Sequence, residues 1–137
     1  MQIFFSAGEV SGDIYGAELL KSLRSQLQNK HASVDFYGLG GPNMQAAGLH
    51  LLADVRAYSA VGLSENMTAL PFFSQLIKRL RCWLRQVRPN IMVLIDFQGL
   101  NIQLAAIGKE LGIPVYYLMA PQDWIWGLKH GVQRIRN

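Results

Sequence analysis

Ile91-Met92-Val93-Leu94-Ile95-Asp96 sets five consecutive apolar residues against a terminal carboxylate. A strand apolar at every position needs cover on both faces, which is the condition inside a parallel sheet rather than in a half-exposed hairpin. Just before it, residues 71–87 place Phe73, Leu76, Ile77, Leu80, Leu84 and Val87 on one side of a helix that Pro71 opens and Arg88-Pro89 ends. Just after it, the spacing predicts a helix from about 102 to 111, Gly112 as its C-terminal cap, and a strand over 114–119. Toward the N-terminus, residues 2–6 read as a strand and 7–13 as a glycine loop, followed by a helix with Ile14, Ala17, Leu20, Leu23 and Leu27 at helical spacing. Residues 34–37 form another strand, closed by Gly38-Leu39-Gly40-Gly41-Pro42, and Pro42 opens a short helix through Ala47. The stretch 49–67 has no decisive pattern. Alternating strands and helices predict an α/β fold, a doubly wound parallel sheet.

The 137 residues suit one domain of ordinary size. With 50% apolar and 16% charged residues, and no aliphatic run approaching the ~18 residues of a membrane span, the composition excludes both disorder and a transmembrane helix. Thirteen Lys and Arg against nine Asp and Glu give a net charge of +4, a mild preference for anionic partners. The charge is clustered: Lys78, Arg79, Arg81, Arg85 and Arg88 stand in a stretch without acids. Cys82 alone cannot form an internal disulfide, and no leader-type pattern opens the chain, so a reducing cytoplasm is the expected setting.

In doubly wound sheets ligands bind outside the carboxyl ends of the strands. Residues 6–13, 38–42, 96–101 and 120–126 are expected there. Gly8-Glu9-Val10-Ser11-Gly12-Asp13 joins a strand to a helix, so its amides can face an anion at the helix N-terminus. The glycines are four apart and no P-loop Lys follows, which weighs against dinucleotides and ATP. The same loop reads equally as a plain turn in which Ser11 or Asp13 caps the helix. Asp96, after its apolar run, is the best general-base candidate in the chain for a substrate hydroxyl, with Asn101 able to share the job; the alternative is a carboxylate that only caps the next helix or binds a loop amide. Gln122, Asp123, Trp124 and Trp126 suit stacking on a sugar or base, although large aromatic residues are mostly buried and chemistry alone favours core packing. The basic helix with Lys78, Arg79, Arg81, Trp83 and Arg85 can rest on anionic lipid, or simply pack on the sheet with a solvated basic face. His31, His50 and His130 have no metal-ligand spacing with one another or with Cys82, so no metal site is expected. Nucleic acid is disfavoured because the basic residues lack interleaved aromatics on a strand platform.

Together these motifs resemble the lipid A disaccharide synthase family of glycosyltransferases over nearly the whole chain. Gly8, Glu9, Ser11, Gly12 and Asp13 match its G-E-x-S-G-D element. Gly38 through Pro42, Met44, Ala46 and Gly48 match G-x-G-G-P-x-M-x-A-x-G, and Gly62 with Glu65 match G-x-x-E. Asp96 and Asn101 match the ends of I-D-x-P-D-F-N, with Gln98 and Gly99 in place of the Pro and second Asp. Pro121, Gln122, Trp124 and Trp126 match S-P-Q-x-W-x-W, with Ala120 in place of Ser. The resemblance implies a Rossmann-like N-terminal, acceptor-side domain of a GT-B enzyme. It further implies inverting transfer of diacylglucosamine from UDP to diacylglucosamine 1-phosphate, without a cofactor, at the cytoplasmic membrane surface. By the same resemblance Asp96 is the general base. Gly8, Glu9, Ser11, Gly12, Asp13, Glu65, Asn101, Gln122 and Trp124 would bind substrate, and the basic helix would contact the membrane. Family enzymes are more than twice this long, so a fragment, a truncated product or one part of a split enzyme is expected, inactive without a C-terminal nucleotide-sugar domain. The alternative from another class is a non-catalytic α/β module that binds anionic lipid or an acidic partner through the basic helix.

Overall fold

In the computed structural model, which describes residues 1–54 and 71–118, the chain forms β1 (Gln2–Ala7), α1 (Val10–Asn29), β2 (Asp35–Gly40), α2 (Pro42–Ala46), β3 (Leu49–Asp54), α3 (Pro71–Val87), β4 (Ile91–Ile95), α4 (Gln98–Leu111) and β5 (Val115–Leu118). The strands make one sheet in the order β3-β2-β1-β4-β5, and every neighbouring pair is parallel. The uninterrupted apolar run of β4 is thereby explained, because one face of the strand meets α1 and the other meets α4.

Alternation along the strands divides the core into two layers. Ile3, Phe5 and Ala7 of β1, with Phe36, Leu49, Val93 and Ile95, pack against Ala17 and Leu20 of α1 and Met44 of α2. Phe4, Leu39, Met92 and Leu94 pack on the other face against Phe73, Leu80 and Leu84 of α3 and Leu100, Leu104 and Ile107 of α4. Helices before β3 thus cover one face and helices after it the other. The reversal falls between β1 and β4.

Several boundaries depart from the pattern-based reading. β3 falls within the stretch that carried no decisive pattern; Leu49 is buried, but His50, Leu52 and Asp54 are exposed on this edge strand. β2 runs on through Gly38-Leu39-Gly40, which the motif reading had placed in a ligand loop. A Cβ on Gly38, whose φ is +151°, would lie 1.8 Å from the carbonyl oxygen of Phe5, so only glycine lets β1 approach at this register. α1 starts at Val10, so Ser11 and Asp13 lie inside it, and its N-cap, Glu9, makes no side-chain cap. Its buried face consists of Gly12, Asp13, Gly16, Ala17 and Leu20, while Ile14 is exposed. Small residues bring the helix close to the sheet, with Gly12 against Ala7 and Ile95. α4 begins at Gln98 rather than near residue 102, because two left-handed residues, Asp96 and Phe97, turn the chain directly into it.

Candidate functional site

The register pairs Ala7 with Ile95, so β1 and β4 end level with one another. From there α1 leaves toward one face and α4 toward the other, which opens the crevice where doubly wound sheets hold their ligands. The two lips interlock at Gly8. A Cβ there would lie 2.2 Å from Cγ of Phe97, so the aromatic ring rests directly on the glycine backbone. Glu9 and Ser11 are exposed at this edge, and the open amide end of α1 adds positive potential to it.

Asp96 is half-buried at the β4 lip. Its φ of +49° and the +53° of Phe97 are consecutive left-handed conformations in residues with a Cβ, each costing roughly 1–3 kcal/mol. The surroundings hold this turn at several points. The Asp96 amide donates to the carbonyl of Leu118 at 3.2 Å. Its carbonyl accepts from Tyr117 Oη at 3.0 Å and from Asn101 Nδ2. Asn101 Nδ2 also donates to the Ile95 carbonyl at 3.2 Å, and Asn101 Oδ1 accepts from Ser6 Oγ at 2.6 Å. Among the described residues nothing hydrogen-bonds the Asp96 carboxylate, so the main chain is clamped while both acid oxygens stay available.

Asp13 is turned into the protein. The residue is 2% exposed, and its carboxylate faces the loop between β2 and α2. Oδ1 accepts from the amides of Gly41 and Met44 at 2.9 Å each, and Oδ2 accepts from the Asn43 amide at 3.0 Å and from Asn43 Nδ2 at 2.8 Å. Pro42 opens α2 and its N-cap, Gly41, has no side chain, so Asp13 caps that helix from a neighbouring one. Met44, fully buried, lodges in the notch made by Gly16 and Gly40, where added Cβ atoms would meet its sulfur at 2.6 and 2.8 Å. The first two motifs are therefore joined to each other by packing and hydrogen bonds. Gly12 and Asp13 belong to that joint, leaving Glu9 and Ser11 as the solvent-facing members of their motif.

Asn101, also read as a substrate contact, has no exposed surface and spends its amide on Ser6 and the end of β4. Pattern reading set Ser6 and Phe97 within the ligand edge but gave neither a role, and it passed over Tyr117. Ser6 did leave a signal: it is a hydroxyl on the same strand face as buried Phe4, where an unpartnered polar group would be costly. Glu65, Gln122 and Trp124, with Gly62, Pro121 and Trp126, lie outside the described residues.

The basic helix α3 divides in two. Arg85 and Arg81 both bind Glu110 of α4, Arg85 at 3.1 Å, and together they hold the Glu110 carboxyl below the usual carboxylate range. Trp83 turns toward the sheet, with ring centres 5.9 Å from Phe4 and 5.5 Å from Tyr37. Lys78 and Arg79 remain without ion pairs among the described residues. Arg79 borders an open groove of about 310 Å³ between β3 and α3, lined also by Leu52, Ala53, Phe72, Leu76 and Trp83. No described helix is long and apolar enough to cross a membrane.

A parallel sheet with helices on both faces defines a Rossmann-type α/β unit, and its candidate site is the β1–β4 crevice, where the Asp96 carboxylate has no partner among the described residues. The sequence profile described as lipid-A-disaccharide synthetase matches residues 3–137. The lipid-A-disaccharide synthase of Synechocystis sp. is 38% identical over 128 residues, covering 92% of this chain and 32% of the relative. That of Syntrophus aciditrophicus is 36% identical over 124 residues, 90% of this chain and 31% of the relative. That of Prochlorococcus marinus is 35% identical over 136 residues, 96% and 34% respectively. The chain belongs to the lipid-A-disaccharide synthetase family, and it spans about a third of the length of the curated relatives it matches.

Proposed function

We propose that this chain is the acceptor-side unit of a GT-B glycosyltransferase that forms the lipid A disaccharide, with Asp96 as the general base. The observation that carries the reading is the Asp96 carboxylate, unengaged among the described residues at the switch point of a sheet from this family. In an inverting transfer the acceptor 6-hydroxyl gives its proton to this carboxylate as its oxygen attacks the anomeric carbon of UDP-diacylglucosamine. The new glycosidic C–O bond forms as the bond to the UDP oxygen breaks, and UDP leaves with that electron pair. Glu9 and Ser11 face the acceptor, and the open end of α1 favours its 1-phosphate. Most of the nucleotide contacts come from a second unit across the crevice.

The acylated acceptor resides in a bilayer, so we assign α3 to peripheral docking on the inner face of the cytoplasmic membrane. Lys78 and Arg79 are the cations available for anionic headgroups, and the groove with Phe72 supplies the adjoining apolar surface. Arg81 and Arg85, themselves partly exposed, tie this face to Glu110 of α4, and Trp83 ties it to the sheet.

The test is disaccharide formation from UDP-diacylglucosamine and diacylglucosamine 1-phosphate. It is run with the chain alone, with the C-terminal part of a relative added, and with Asp96→Ala in that mixture. Activity is expected only in the complemented mixture, reduced ~10²–10⁴-fold in the variant. Turnover by the chain alone would overturn the need for a second unit. Undiminished activity of Asp96→Ala would remove the base. A folded chain inactive in every mixture that binds anionic vesicles through Lys78 and Arg79 would identify a lipid-binding module instead.

A further inference from the structure

The buried polar cluster under the crevice has no place in the reaction just described, yet each of its members bears on Asp96. Ser6 comes from β1, Asn101 from α4 and Tyr117 from β5, so three separate elements converge on one strand end. The amide orientation of Asn101 is dictated by chemistry. The carbonyls of Ile95 and Asp96 can only accept, so Nδ2 must face them, and Oδ1 then faces the Ser6 hydroxyl, which donates. Ser6 therefore locks the amide, the amide and the Tyr117 hydroxyl lock the Asp96 carbonyl, and the left-handed turn at Asp96 and Phe97 is held against its intrinsic preference. Ser6 and Asn101 are fully buried and do not reach into the crevice as reacting groups, and the Tyr117 hydroxyl donates to the Asp96 carbonyl rather than to its carboxylate.

We propose that Ser6, Asn101 and Tyr117 are positioning residues that aim the Asp96 carboxylate through its main chain. The inference rests on Asp96 being the general base, and goes beyond it by assigning a role to residues that contact no substrate. A carboxylate displaced by about an ångström loses ~10²-fold in rate. Ser6→Ala and Tyr117→Phe each delete one hydroxyl with little change of volume. Each is expected to lower kcat ~10–100-fold in the complemented mixture with KM within about 2-fold. In an Asp96→Ala background neither should lower the residual rate further, because there is no carboxylate left to aim.

Losses that add fully to that of Asp96→Ala would overturn the proposal and leave the cluster a purely structural role. Wild-type activity of both hydroxyl variants would also overturn it. Full activity of Asp96→Ala alone is a separate outcome, which removes the base itself and the positioning role with it. NMR on the 137-residue chain gives a readout independent of turnover. In the Ser6→Ala, Tyr117→Phe double variant the Asp96 and Phe97 backbone shifts should leave left-handed values while β1–β2 amides keep theirs. Retention of the left-handed turn in that double variant would overturn the proposal.

Discussion

Replacing Asp13 by Ala tests whether the carboxylate serves the fold or a ligand. The substitution removes four accepted hydrogen bonds: from the Gly41 and Met44 amides at 2.9 Å, from the Asn43 amide at 3.0 Å and from Asn43 Nδ2 at 2.8 Å. Asn43 is exposed, so water takes over its two donors at little cost. The Gly41 and Met44 amides are buried and would stay unpaired at ~1–3 kcal/mol each. These two bonds are themselves the cap on α2, so about 2–6 kcal/mol of stability should disappear, a large part of the roughly 5–15 kcal/mol of an ordinary domain. Asp13→Asn keeps one acceptor oxygen for the two buried amides and opposes Asn43 with a donor, so about 1–2 kcal/mol is expected. Urea unfolding followed by circular dichroism reads both values, and the Ala variant should melt roughly 10–20 °C lower. Asp13→Ala costing less than about 1 kcal/mol would refute the assignment and return Asp13 to the ligand side.

Gly38→Ala should prevent folding or cost more than about 3 kcal/mol, because the new methyl meets the Phe5 main chain. Gly16→Ala meets only the flexible thioether of Met44 and gains helix propensity of ~1 kcal/mol, so its net cost should stay within about 2 kcal/mol. Equal melting temperatures for the two variants would contradict at least one of these statements. Glu110→Gln should lower stability slightly at neutral pH. The folded protein depresses the Glu110 titration through Arg85 and Arg81, so the stabilisation is present above the ordinary carboxylate range and is lost as pH falls through the folded value. The difference between wild type and Glu110→Gln should therefore close on acidification, and also at about 1 M salt, where screening acts over ~3 Å. A difference that persists at acid pH would rule out the ion pairs as its source.

The fold was legible wherever one element's pattern reports its own burial. The apolar run of β4, the one-sided periodicity of α3 and the Pro42 and Gly112 punctuation all act locally, and each reappears in the structure. β3 was not legible, because an edge strand with one buried residue in six has no face to announce. The candidate site was half legible. A carboxylate that ends a fully apolar strand stands out in one dimension, so Asp96 and its edge of the sheet could be picked from the chain alone. Glycine motifs, however, look alike whether they cradle a ligand or admit a neighbouring side chain. What separated Gly8 under Phe97, and Gly16 and Gly40 around Met44, from Glu9 and Ser11 in solvent was contact between residues far apart in sequence. The sequence by itself determined the α/β alternation, the family and the acid that ends a fully apolar strand, since these depend on residue type and local spacing. Only the tertiary structure decided that Asp13 caps α2, that Arg81 and Arg85 are spent on Glu110, and that Ser6, Asn101 and Tyr117 converge on Asp96. Hydrogen bonds and ion pairs are short-ranged, and the chain brings those partners within reach only when the sheet has set its order and register.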